Sequence, residues 1–279
     1  MNCNLIHVEI IEDVDDVSNE VIDKDVEAVV VEPKKKVKRT VKQTVPSVKP
    51  TVCLEKFYNA CPDVYEIGVD EAGRGPLFGR VYSGAVILPK DDSFDHSKMK
   101  DSKKFHSVAK IVEAAEYIKE HAIAWGVGYE SEQTIDNINI LQATQQSMHK
   151  AISNAISRAT SSCATGKISI PQNNKNKYQL LVDGNYFKPY IRAATNEKVP
   201  YITVEGGDNK YSAIAAASIL AKVARDQYIN ELCEQNPYLG EYYGIDSNKG
   251  YGAKKHIEGI KEHGITVWHR RTFGICKNY

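Results

Sequence analysis

Three separated runs of the chain are apolar, of strand length, and lead to an acidic residue. They are "YEIGVD", closing at Asp70, "YQLLVDG", reaching Asp183, and "VPYITVEGGD", running to Asp208. Short apolar runs bounded by glycine or proline read as strands. A sheet that gathers three such strands collects their carboxylates at one end, and in open α/β sheets ligand sites form at strand ends. Glu71 directly follows Asp70 and brings the acidic set to four. Successive strand residues point to opposite faces, so Asp70 and Glu71 share a site only if the strand ends or twists between them.

The remaining pattern supplies the rest of a mixed α/β sheet. "RVYSGAVILP" and "IAWGVGYES" read as further strands. "SVAKIVEAAEYIKEHA" has helical spacing. So does "NINILQATQQSMHKAISNAISRA", with Ile138, Leu141, Met148, Ile152 and Ile156 as its apolar anchors. "YSAIAAASILAKVARDQYINELCEQ" predicts a long helix with Ser212 as N-cap. Residues 161–177 are polar and read as a loop, and the stretch after residue 235 reads as short helices and loops. Helices alternating with strands imply an α/β domain with a helical C-terminal part.

Residues 1–56 have a different character. Acidic residues from Glu9 to Glu32 give way to a basic run at Lys34, Lys35, Lys36, Lys38 and Arg39, with Pro33, Pro46 and Pro50 between and after. Such a stretch buries little apolar surface, so a poorly ordered extension is expected there and a folded domain over 57–279. The basic run suits a nuclear signal, a loose nucleic-acid anchor or a solvated linker. The acidic start is the opposite of a secretory signal, and no run is apolar enough to span a membrane. The six cysteines lack metal-ligand spacing and read as free thiols of a reducing, intracellular compartment. Net charge is zero, so only its distribution bears on nucleic acid. Lys249, Lys254, Lys255, Lys261, Arg270 and Arg271 make the C-terminal region locally basic and are candidate phosphate contacts.

Four converging carboxylates repel one another and hold protons unless cations neutralise them. Hard divalent ions such as Mg²⁺ take oxygen ligands. A pair of them about 3.5–4 Å apart could clamp an in-line displacement at phosphorus. Each Asp taken singly also serves as a turn former or helix cap. Beside the first pair, Gly73, Gly75 and Gly79 bracket Arg74. Backbone amides freed by glycine receive phosphate oxygens, and an arginine adds a fixed fork of donors. A plain tight turn would have the same composition, and the spacing is not that of a Walker loop.

Longer blocks carry a resemblance. "GVDEAGRGPLFGRV", "MKDSKKF", "NILQAT", "LLVDG", "GGDNKYSAIAAASILAKVARD", "KGYGAKKH" and "HRRTFGIC" follow one another between about Val64 and Cys276. In that order they resemble the type 2 ribonucleases H, the ribonuclease HII family. The resemblance implies a ribonuclease H-like α/β fold with a mixed central sheet flanked by helices, plus a helical C-terminal region. It implies an endonuclease that hydrolyses the RNA strand of RNA–DNA hybrids. It further implies cleavage on the 5′ side of a single ribonucleotide embedded in duplex DNA, by two-metal-ion chemistry. Asp70, Glu71, Asp183 and Asp208 fall on the four carboxylates that hold two Mg²⁺ or Mn²⁺ ions in that family. Gly73, Arg74 and Gly75 fall on the loop that reads the ribonucleotide 2′-OH, Tyr251 on the tyrosine that stacks at the RNA–DNA junction, and Lys103 on a basic position near the substrate backbone. The expected partners are RNA–DNA hybrid and ribonucleotide-containing duplex, bound by a monomer in the cytoplasm or at a site of DNA replication. Asn248 departs from a His that often precedes "KGYG", and Ala253 from a frequent Thr. The alternatives are a type 3 ribonuclease H, whose usual DESGKG-like motif differs from "DEAGRG", or a catalytically inactive nucleic-acid binder.

Overall fold

β1 (Val64–Ala72) alternates its burden between two layers. Ile67 and Val69 point into one core, while Gly68 lies against the backbone of a helix on the other face. A Cβ at Gly68 would fall 2.1 Å from the carbonyl carbon of Ala213, so the strand and helix meet at a distance only glycine permits. This computed structural model describes residues 54–161 and 177–279. The expectations for residues 1–53 and for nearly all of the polar stretch 161–177 lie outside the described residues.

The sheet has the order β3-β2-β1-β4-β5. β1 pairs antiparallel with β2 (Val81–Ile87), which pairs antiparallel with β3 (Ala124–Glu130). On its other side β1 pairs parallel with β4 (Lys177–Asp183), which pairs parallel with β5 (Tyr201–Val204). This is the mixed sheet that the sequence implies.

One face carries α2 (Glu132–Ser161), whose Met148, Ile152 and Ile156 are buried against Ile67, Val69, Ala85 and Ile87. The other carries α1 (Val108–His121) and α3 (Ser212–Gln235), where Ala213, Ala215, Ala216 and Ala217 pack with Val86, Ile111 and Ile118. Beyond α3 follow α4 (Tyr238–Tyr243), α5 (Ile245–Asn248) and α6 (Lys254–His263). Their core of Leu239, Tyr243, Ile245 and Ile260 encloses Phe78 and so seats the C-terminal region under the β1–β2 connection.

Four expectations are corrected. β1 does not end at Asp70 but continues through Glu71 to Ala72. β5 ends at Val204, and Asp208 lies on a short 3-10 turn, Gly207–Asn209, reached through Gly206 at φ 61°. Ser212 is the first residue of α3 and Tyr211 occupies the N-cap position. α2 breaks at Asn139 (φ 66°, ψ 163°), whose side chain accepts the Gln142 amide; the break turns Leu141 outward, so it is no anchor. Leu54 packs against the α1–α3 core, and Glu55 bonds to Lys210 and Ser212. Among the described residues no helix is long and apolar enough to cross a membrane.

Candidate active site

The parallel register Val69↔Val182 makes Asp70 and Asp183 the next positions on adjacent strands. Asp70 is 5% exposed and held above the ordinary carboxylate range by burial, then by Glu71 and Asp183, against a hydrogen bond from Ser218. Glu71 is raised chiefly by burial, with Arg74 opposing and Asp183 adding. Asp208 is raised by burial and by Asp101 and Asp183, with Lys103 opposing. The four carboxylates predicted from sequence therefore feel one another, and Lys103 faces the same cluster.

Asp70 and Glu71 meet although no strand end separates them. Asp70 Oδ1 accepts the Glu71 amide at 2.6 Å, which curls its carboxylate toward the strand's C-terminal tip. Each other acid has a protein donor too. Arg74 donates to Glu71 at 3.2 Å, Gly207 N–H to Asp183 at 2.6 Å, and Asn209 Nδ2 to Asp208 at 3.0 Å. No three acidic, histidine or cysteine side chains among the described residues are grouped closely enough to hold a metal ion as they stand. The donor chemistry nevertheless fits hard divalent cations: oxygen only, anionic, and destabilised by its own repulsion.

The loop after β1 stands beside this cluster. Gly73 has φ +89°, and a Cβ there would fall 2.2 Å from Nε of Arg225. Arg74 and Gly75 are exposed at the tip. The half-exposed Tyr251 ring borders Gly75, 3.7 Å from where its Cβ would stand. Lys103 lies on a 3-10 turn capped by Asp101, and Asn209 bridges Asp101 and Asp208. Lys103 thus stands beside Asp208, and Tyr251 beside the loop that follows Glu71.

One expected phosphate contact is corrected. Arg270 is fully buried and bonded to backbone carbonyls, so it cannot face a duplex. Lys249 is committed to Asn230 and to the Asp246 carbonyl, both at 2.6 Å. Lys254, Lys255, Lys261 and Arg271 remain exposed. Asn248 serves the turn before Tyr251, accepting from Gly250 N–H and donating to the Tyr243 carbonyl, each at 2.8 Å.

Sequence reasoning missed the support under Tyr251. The Thr266 amide donates to His269 Nδ1 at 2.9 Å, which leaves His269 Nε2 protonated. His269 Nε2 then donates to His256 Nε2 at 3.1 Å, and His256 Nδ1 donates to the Tyr251 carbonyl at 2.9 Å. Both rings are buried and neutral, because burial lowers each pKa, His269 to about 3. The helical spacing of His256 gave no sign of this, since its partner lies beyond α6.

A family model described as Ribonuclease HII matches residues 67–276. A protein named Ribonuclease HII from Bacteroides thetaiotaomicron is 43% identical over 76% of this chain and 91% of its own length. Another of that name from Parabacteroides distasonis is 45% identical over 75% of this chain and 90% of its own. The crystal structure of the ribonuclease H2 from Pyrococcus horikoshii OT3 superposes with a TM-score of 0.55 at 23% identity, over 76% of this chain and 95% of that one. That likeness concerns the fold.

Proposed function

The chain belongs to the ribonuclease HII family and is a type 2 ribonuclease H, and we propose that it cuts duplex DNA on the 5′ side of single embedded ribonucleotides as well as the RNA strand of RNA–DNA hybrids. The observation that carries this reading is the adjacency of Asp70 and Asp183 on parallel strands, with Glu71 and Asp208 acting on them beside the exposed loop tip Arg74–Gly75 and Tyr251.

Asp70, Glu71, Asp183 and Asp208 are the residues that would hold two Mg²⁺ or Mn²⁺ ions, Asp70 being central among them. Such ions, when bound, lower the pKa of an attacking water and stabilise the departing 3′ oxygen. The chain's own groups do the rest. Arg74 must leave Glu71 for that carboxylate to be free, and the guanidinium then faces the incoming phosphate. The loop amides at Arg74 and Gly75 bring backbone donors to the sugar, where the 2′-OH distinguishes RNA from DNA. The Tyr251 ring offers a flat apolar face at the junction, and Lys103 a point charge toward the backbone. Affinity for the duplex should come from phosphate contacts and fall steeply with salt.

The experiment is strand cleavage of a DNA duplex containing one ribonucleotide, with Mg²⁺ and with chelator, for the wild type and Asp70→Asn. Cleavage by the wild type that needs the ion and vanishes in Asp70→Asn is expected. Equal rates for the two chains would overturn the assignment. Duplex binding with no cleavage at all would identify an inactive binder.

A further inference from the structure

We infer that Arg270 is a positioning residue: buried behind the glycine loop, it holds the backbone carbonyls inward so that the amides at Arg74 and Gly75 face the substrate. This rests on the reading of that loop as substrate-facing given above.

The side chain is fully buried and makes four hydrogen bonds, all to carbonyls of one loop. Nε donates to Gly79 at 2.8 Å, Nη1 to Arg74 at 3.0 Å and Pro76 at 2.9 Å, and Nη2 to Gly73 at 2.6 Å. Its own amide donates to the Leu77 carbonyl at 2.8 Å. A second buried arginine, Arg225, donates to Phe78 and Arg80 at 3.2 and 3.3 Å and to Lys249 at 2.9 Å. From Gly73 to Arg80, the Gly75 carbonyl is therefore the exception that neither arginine engages.

No ion pair to either arginine forms among the described residues; their hydrogen-bond acceptors are backbone carbonyls, with the Phe273 ring 5.1 Å from the Arg270 guanidinium and the Tyr251 ring 6.0 Å from that of Arg225, while Glu132 and Asp136 favour the Arg270 charge from further off. Burial lowers the pKa of Arg270 to about 9, with Arg225 adding to the effect, and the group remains cationic at neutral pH. A buried charge without an ion pair is costly to desolvate, so the four carbonyl hydrogen bonds of Arg270 are weak evidence of a role in stability. A guanidinium is suited to this place because its rigid fork reaches several acceptors at fixed angles, which an ammonium cannot.

The geometry has a consequence on the outer side. A peptide whose carbonyl turns inward presents its neighbouring N–H outward, and successive outward amides make an anion-receiving concavity. The amides of Arg74 and Gly75 have no partner among the described residues, whereas Leu77 and Gly79 donate to Gly250 and Trp268 at 2.9 Å. Asp136 pins the segment on the far side of Arg270 by accepting from the amides of Arg271 and Thr272, each at 2.9 Å. The guanidinium is thus fixed from behind before it fixes the loop.

Arg270→Lys keeps the charge and loses the fork; Arg270→Met keeps the bulk and loses both. The full chain is assayed on the single-ribonucleotide duplex well below its melting temperature, with Mn²⁺ binding measured by calorimetry. Both variants should melt cooperatively and bind Mn²⁺ within about twofold of the wild type, while kcat falls by about tenfold or more, as small misplacements do. A merely structural role would lower both readouts or neither. A folded Arg270→Lys cutting within about threefold of the wild type overturns the inference. If the Arg270 variants do not fold, Arg225→Lys is judged by the same limits. If the wild type itself does not cut, the activity reading has failed; duplex affinity by fluorescence anisotropy then decides, with about fivefold weakening expected and equal affinity overturning the inference.

Discussion

Arg74 Nη1 stands 3.2 Å from Oε1 of Glu71, so the tip of the glycine loop closes on the acidic cluster it borders. Arg74 is half exposed while the Glu71 carboxylate is largely buried, and solvent screening at the arginine keeps the pair weak, about 0–1 kcal/mol. Its effect is therefore on competition rather than on stability. Arg74→Ala should bind Mn²⁺ up to about fivefold more tightly, because a rival cation has gone, yet cleave more slowly because a phosphate donor has gone too. Calorimetry and cleavage rates on the same preparation check the two signs. Ion affinity that falls in Arg74→Ala would show that Arg74 does not compete for Glu71.

The acidic cluster sets function against stability. Asp70 is buried, and both burial and its neighbours disfavour its charge. Asparagine at this position keeps an oxygen for the Glu71 amide and drops the charge. Asp70→Asn should therefore raise the melting temperature in chelator, by the equivalent of about 1–3 kcal/mol, while abolishing cleavage. A variant that melts below the wild type under those conditions would mean that the repulsion is already relieved within the fold.

Asp70 and Asp183 were legible as site residues because each closes an apolar run, and a sheet must bring such ends together. Their adjacency depends on the parallel pairing of β1 with β4, which no local pattern encodes. Asp208 was placed at a strand end because its run stays apolar to Val204; the left-handed Gly206 diverts the chain into a turn instead. Leu141 fits a helical period that the break at Asn139 resets. Arg270 failed most instructively. Charged residues in a basic stretch read as solvated, and its acceptors lie 191 or more positions earlier in the chain. Burial of a charge by distant carbonyls leaves no trace in neighbouring residues, and the same holds for the partner of His256.

The buried histidines give acid sensitivity remote from the carboxylates. The pKa of His269 is pushed down to about 3 by burial and by His256, and that of His256 is lowered by burial. In the unfolded chain both titrate near about 6.5. Below that pH the unfolded state binds protons that the folded state refuses, so stability is full above about 6.5 and declines as pH falls toward about 3. For His269 the slope reaches at most about 1.4 kcal/mol per pH unit, and His256 adds in the same direction. Asp70, Glu71 and Asp208, whose raised pKa values act with the opposite sign, offset part of this decline, so urea melts from neutral pH to pH 5 are compared between the wild type and a His269 variant. His269→Gln, with an uncharged donor of similar reach, should flatten the acid limb relative to the wild type. An unchanged acid slope in that variant would place the effect elsewhere.

α6 begins without a side-chain cap. Ala253 occupies the N-cap position with extended backbone, φ −69° and ψ 159°, and offers no acceptor to the first amides of the helix. The position is exposed, so a hydroxyl meets no packing constraint. Ala253→Thr should therefore stabilise the protein by about 1 kcal/mol. Two residues before the cap lies Tyr251, whose carbonyl accepts both the Ala253 amide at 2.7 Å and His256 Nδ1 at 2.9 Å. Less fraying of the first turn would hold His256, and through it the Tyr251 backbone, more tightly. The variant should then keep or raise its cleavage rate while its melting temperature rises, by about 2–4 °C for a domain of this size. Thermal melts and cleavage of the single-ribonucleotide duplex check both. A rise in melting temperature with a clear loss of rate would mean that Tyr251 works by moving with this turn, and not by being held in place.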